Sequence, residues 1–276
     1  MIIWATSATL LKAMFASLPQ YEILCVSSAL SALFLLAVNE AKGNLRGSIK
    51  TLREAAQLLF LGVFGMFAYN ALYYTGIGLM SAQEACILNY LWPIMLIVFS
   101  RIILGERLTA PKVFAVLCSF GGVIVLSLGG TQTGSGQLVG AVCCISAAAC
   151  YGLFCVLNKK WNLNQGVTMM TVWGIVAAGS AVLGLLTEEW LPITAAALPG
   201  IMWMGIAVNG FSYLIWALAL NGSGDSSLIA NLAYLTPFFS VVFSALFLGE
   251  RITLSSACAL LLIIGGVMVS QFYGRR

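Results

Sequence analysis

Histidine is absent from the chain, and charged residues make up only 8% of its 276 positions. Without histidine there is no His-based nucleophile–base dyad and no His-ligated haem. The acids stand near the ends of apolar runs: Glu22, Glu84, Glu188, Glu189 and Glu250 on one side, and Glu40, Glu54, Glu106 and Asp225 on the other. No acids pair at depth for hydrolytic chemistry or a buried proton relay, so an enzyme is not expected. The chain also lacks a soluble stretch long enough for a domain and the alternation of a lipid-facing barrel strand. Its eight cysteines show no metal-ligand spacing, and all fall in apolar runs, where the thiol serves as a small hydrophobe. No cofactor, metal or nucleic-acid partner is expected.

Apolar sequence fills the remainder: 61% of residues are hydrophobic and the mean hydropathy is +1.00. Stretches of about 20 residues, each enough to cross a hydrocarbon core of about 30 Å, recur from end to end. They lie at 1–18, 20–39, 55–75, 82–104, 110–128, 136–158, 166–186, 198–220, 226–248 and 253–273. Lipid offers the backbone no hydrogen-bond partner, so these stretches must be helices. The first lacks the basic start and small-residue cleavage site of a signal peptide and contains Lys12, so it is read as a span. The expected fold class is an all-α membrane protein with ten transmembrane helices.

With both termini in the cytoplasm, Lys42, Arg46, Lys50, Arg53, Arg101, Arg107, Lys112, Lys159, Lys160, Arg275 and Arg276 lie on or near the inner side. Arg251 alone sits in an outer loop, and Lys12 lies on the outer part of the first helix. This asymmetry follows the positive-inside rule and accounts for the net charge of +4 as topogenic. Trp161, Trp190, Trp203 and Trp216 stand near span ends, where an indole suits the headgroup level.

The two halves repeat. Leu91-Trp92-Pro93 aligns with Leu235-Thr236-Pro237 and Leu104 to Arg107 with Leu248 to Arg251, at a constant offset of 144 residues. Gly121-Gly122-Val123 recurs at Gly265-Gly266-Val267, and Tyr69 at Tyr213. A weaker match at an offset of 147 pairs Trp4 and Lys12 with Tyr151 and Lys159. The repeats, 1–130 and 131–276, form one integral unit; five helices each is an odd number, so the second copy is inverted. Inverted repeats are the architecture of secondary transporters, with the substrate near mid-membrane between the halves.

A proline in the fourth helix of each half, then Leu-Gly-Glu-Arg, then a helix carrying Gly-Gly-Val, resembles the EamA-type carriers of the drug/metabolite transporter superfamily. Asn89-Tyr90-Leu91-Trp92-Pro93, preceded by Tyr69-Asn70 and Tyr73, is similar more narrowly to the YddG group of aromatic amino-acid exporters. That resemblance implies a basket-like bundle in a bacterial inner membrane, alternating access, and export of aromatic and other bulky neutral amino acids. A monomer in the lipid bilayer is the expected unit.

The residues supply candidates for the site. Tyr69 and Tyr73, four apart, share a helix face with Asn70 to one side, while Asn89, Tyr90 and Trp92 bring amide, phenol and indole to one depth. Trp173, Asn209 and Tyr213 are the candidates of the second half, with Trp4, Lys12, Tyr151, Asn231 and Tyr234 behind them. Such rings either face a cavity or pack between helices. Pro93 and Pro237 deprive the carbonyls of Asn89 and Ala233 of a donor, which suits a hinge beside a cavity. Lys12 and Lys159 either snorkel to the interface or, for Lys12, attract a carboxylate. Glu106 and Glu250 are read as turn residues anchored in the headgroups. Two further alternatives are a carrier of this fold for another solute, such as a nucleobase, a threonine-like amino acid or a drug, and proton coupling, for which Glu84 is the candidate.

Overall fold

A computed structural model of the chain describes residues 1–45, 51–105, 109–129, 135–216 and 235–273. Each helix begins and ends where local chemistry dictates. Thr51 and Ser81 accept the backbone N–H of Glu54 and Glu84, the S/T-x-x-E capping box, and Asn164 caps Val167 in the same way. Gly105 and Gly249, at φ of 71° and 68°, end their helices in the left-handed conformation that glycine adopts without penalty.

The helices are α1 (Ile2–Met14), α2 (Gln20–Ala41), α3 (Leu52–Leu79), α4 (Ala82–Leu104), α5 (Ala110–Gly129), α6 (Ser135–Trp161), α7 (Gln165–Thr187), α8 (Leu198–Trp216), α9 (Leu235–Leu248) and α10 (Leu254–Tyr273). No strand occurs among the described residues. Six of these helices, α2, α3, α4, α6, α7 and α8, are long and apolar enough to cross a membrane; the other four carry apolar stretches of 10–17 residues, Ile2–Met14, Ala110–Leu126, Thr236–Leu248 and Leu254–Val269. The described helices lie along the expected apolar runs, and the end of the 198–220 run and the first part of the 226–248 run lie outside the described residues.

Burial is inverted relative to a water-soluble protein. On α2, Ser27, Ser28 and Ser31 are fully buried while Leu33 is 61% exposed, and Phe120, Leu186 and Phe247 likewise point outward. Small polar residues let helices approach closely, and large apolar ones meet lipid.

Packing is reciprocal between the halves. The second helices, α2 and α7, lie side by side, as do the fifth helices, α5 and α10. The first helix of each half packs on the third and fourth of the other: α1 on α8 and α9, α6 on α3 and α4. At the α5–α10 crossing, a Cβ on Gly122 would stand 3.0 Å from the carbonyl of Ala259, and one on Gly266 3.0 Å from the carbonyl of Ala115. Both pairs are repeat mates, so the same small-residue contact is made twice.

Candidate functional site

Three departures from regular helix set up the center of the bundle. Leu61–Phe67 in α3 and Trp203–Phe211 in α8 are π-helical. A π turn holds one residue more than an α turn and re-aims the helix that follows by about 100°. The two segments end at repeat mates, Phe67 and Phe211, two residues before Tyr69 and Tyr213. Close contacts fall within each π segment: Gly62 lies against Ile175 and Gly205 against the carbonyl of Ser27. The widened turns therefore aim Tyr69 and Tyr213 inward, and Asn209 belongs to the second of them.

The third departure is a break in α4 at Tyr90–Leu91, where Leu91 N–H turns back to the carbonyl of Leu88 at 3.1 Å and a new helix starts at Trp92 with Pro93 in its first turn. Pro93 thus restarts a helix, where its missing N–H costs nothing. Pro237 is near the start of α9, and Ala233 before it lies outside the described residues.

These features line a central cavity of about 100 Å³, room for several waters. Tyr69 and Tyr73 stack at 5.9 Å and 8°, Tyr69 meets Tyr151 at 5.0 Å, and Trp92 meets Tyr151 edge-on at 5.2 Å. Trp4 meets Tyr213 edge-on at 5.2 Å and donates its indole N–H to the carbonyl of Val208 at 3.3 Å. Tyr90, Asn70, Asn89 and Asn209 complete the expected part of the lining. Asn70 Nδ2 is spent on the carbonyl of Met66 at 2.8 Å. Asn89 Nδ2 donates to the Tyr69 hydroxyl at 3.3 Å, which leaves Asn89 Oδ1 buried without a partner. Asn209 Nδ2 is also buried without a partner. One amide thus offers an unmatched acceptor and the other an unmatched donor, each costly to leave unsatisfied.

Three expectations need correction. Trp173 does not line the cavity: it is fully buried behind Tyr213, edge-on at 5.5 Å, and so backs the wall. Lys12 neither snorkels nor reaches the central cavity. Its Nζ donates to the carbonyls of Ile77, Gly78 and Met80 at 2.7, 3.3 and 2.8 Å, capping the end of α3. Glu250 is no headgroup anchor: its carboxylate accepts the N–H groups of Ala82 and Gln83 at 2.7 and 3.0 Å, capping α4. Lys12, Gln83, Glu84, Glu250 and Arg251 line a second pocket of about 260 Å³. On α1 it lies eight residues beyond Trp4, about 12 Å along the axis. Trp216, expected at the interface, meets Trp4 edge-on at 5.6 Å. Asn231 and Tyr234 lie outside the described residues.

Ser7, Leu11, Tyr74, Cys86, Met204, Val208 and Thr236 also line the cavity. Trp4, Ser7 and Leu11 follow one face of α1, a pattern visible in the sequence, and Thr236 is the repeat mate of Trp92. No sequence signal marked the π turns.

The EamA-like transporter family model matches residues 1–128 and 138–272. The chain belongs to that family. It is 26% identical to the aromatic amino acid exporter YddG of Ancylobacter novellus over 290 residues, covering 100% of this chain and 95% of that one. It is 28% identical to the uncharacterized transporter YvbV of Bacillus subtilis, covering 96% and 87%. A crystal structure that is 22% identical shares the fold with a TM-score of 0.76 over 99% of this chain and 95% of its own. The chain is accordingly a transporter of a membrane-spanning family, with a small molecule as its cargo.

Proposed function

We propose that this protein exports aromatic and other neutral amino acids across a bacterial inner membrane by alternating access. The carrying observation is the pair of unmatched amide atoms among aromatic rings. Asn89 Oδ1 accepts from the substrate ammonium, and Asn209 Nδ2 donates to its carboxylate. The Tyr69–Tyr73 stack, Tyr151, Trp92 and Tyr213 offer faces and edges to an aromatic side chain. The similarity to an aromatic amino acid exporter over the whole chain supports the same reading.

In this account ten helices form two inverted repeats, 1–130 and 131–276, with both termini cytoplasmic, and a monomer is the working unit. Support comes from the constant offset, the reciprocal packing, the paired π turns and the separate family matches to the two halves. Two similar halves exchange conformations, so one structure closes either end of the path. The break before Pro93 and the two π turns are the places where helices bend, and Pro237 is the position that aligns with Pro93. No acid lines the central cavity among the described residues, which favors a facilitative carrier over a proton antiporter.

Counterflow of labelled phenylalanine in proteoliposomes tests this reading. Exchange should proceed without a pH gradient. Loss of all exchange without the gradient would contradict the facilitative coupling, and absence of transport for tryptophan, phenylalanine, tyrosine and threonine would contradict the substrate class.

A further inference from the structure

The second pocket surrounds an unusual junction. Gln83 Nε2 adds a third bond to the two that Glu250 accepts through its carboxylate, donating to the Glu250 carbonyl at 3.1 Å. One residue of the second half, placed just after the left-handed turn at Gly249, thus grips the first turn of α4 in the first half. The turn is buried, with Ala82, Gln83 and Glu84 between 0 and 4% exposed. One helical turn further on, Cys86 lines the central cavity. The gripped turn therefore stands between the central cavity and the second pocket, and Lys12 holds the other side of the same corner through the end of α3.

A second carboxylate provides a contrast. Glu188 caps α2 with the same two-pronged geometry, accepting from Gln20 N–H at 3.1 Å and Tyr21 N–H at 2.9 Å. There the favor is returned: Glu22 of α2 accepts from Leu191 N–H at 3.0 Å, and α2 and α7 pack along their length. That junction is a brace within a continuous contact. The Glu250 junction instead joins α4 to the α9–α10 turn beside the second pocket, whose volume of about 260 Å³ gives it room to part. A released Glu250 carboxylate has Lys12, whose charge it already feels, and Arg251 at hand as other partners.

We propose that Glu250 is the latch of the outer gate: its carboxylate on the first turn of α4 closes the central cavity to the outside, and its release opens it. The word "outer" rests on the orientation and alternating access proposed above; the latch itself rests on the contacts. Bonds from an ionised acceptor to helix N–H groups are among the stronger hydrogen bonds. A single carboxylate holding two of them lets go as a unit, which suits a two-state closure.

The test uses the native Cys86 as reporter in a protein whose other seven cysteines are replaced by serine. A charged, membrane-impermeant methanethiosulfonate is applied to right-side-out and to inside-out vesicles, and the labelling rate of Cys86 is read by mass shift. Glu250→Gln and Glu250→Ala should each raise labelling from the outer face about tenfold, the effect of losing about 1.4 kcal/mol from the closed state. Ala82→Pro removes one donor at the first helical position, where proline is tolerated, and should give the same direction of change. Glu188→Gln should leave the rate near that of the parent. If monodisperse Glu250 and Ala82 variants label no faster than the parent, the latch is wrong. Equal acceleration by Glu188→Gln would likewise overturn it, since general loosening would then suffice. Acceleration from the inner face alone would overturn the outward assignment and the orientation behind it. No solute enters the assay, so failure of the amino-acid reading would leave its result intact.

Discussion

The central cavity and the second pocket differ in how their polar groups are employed. In the cavity, rings surround amides that each keep one polar atom unmatched, Asn89 Oδ1 and Asn209 Nδ2. In the second pocket, Lys12 makes three bonds and Glu250 accepts three. The two cavity amides keep capacity for a solute, whereas Lys12 and the Glu250 carboxylate are consumed by contacts that hold the protein shut, although Gln83 Oε1 beside them is also buried without a partner. Charge alone would have pointed to the second pocket, where Lys12 and the Glu250 carboxylate are already partnered by backbone groups.

The comparison breaks most visibly if the aim of the cavity residues is spoiled. Deleting Phe64, a lipid-facing residue of the first π segment, restores an α register and turns Tyr69, Asn70 and Tyr73 away by about 100°. Transport of labelled phenylalanine should fall more than about a hundredfold while circular dichroism keeps its helical signal. Retained transport would show that the π turn does not aim the site. Next, Asn209→Leu or Asn89→Leu removes one hydrogen bond to a charged group and should lower transport about ten- to a hundredfold in the same assay.

The pockets part company again at their cations and rings. Lys12→Met strips the end of α3 of its cap and should lower stability by about 2 kcal/mol, read as an earlier thermal transition in detergent, with a smaller effect on phenylalanine affinity than Asn209→Leu. Trp92→Ala removes an edge contact and should weaken affinity for phenylalanine by up to about tenfold, but affinity for threonine much less. The smallest effect belongs to Trp203→Ala. Trp203 is 42% exposed and its indole N–H donates to the Thr6 hydroxyl at 2.9 Å, so transport should change less than about twofold.

Much of this was legible in the residues. Apolar runs found the helices, because lipid leaves the backbone no other solution. Spacing of four placed Tyr69 and Tyr73 on one face, and they stack. Both members of the Trp92–Thr236 and Tyr69–Tyr213 pairs, aligned by the offset of 144, line one cavity. What escaped was set by the third dimension. A π turn depends on close approaches such as Gly62 against Ile175, which pattern does not encode. Lys12 and Glu250 were assigned to the interface because their partners are backbone groups far along the chain, and a backbone N–H has no signature in sequence. Depth in a span points Trp173 toward the cavity but says nothing about whether Tyr213 stands in front of it.

The central claim is that the two unmatched amides read the two ends of a zwitterion. Equilibrium binding of labelled phenylalanine to the purified protein, competed by phenethylamine and by 3-phenylpropionate, tests it most directly. Phenethylamine lacks the carboxylate and 3-phenylpropionate the ammonium, so each should compete at least about tenfold more weakly than unlabelled phenylalanine. Competition by either analogue as strong as that of phenylalanine would mean that one of the amides does not face the substrate, and the account of the site would fail.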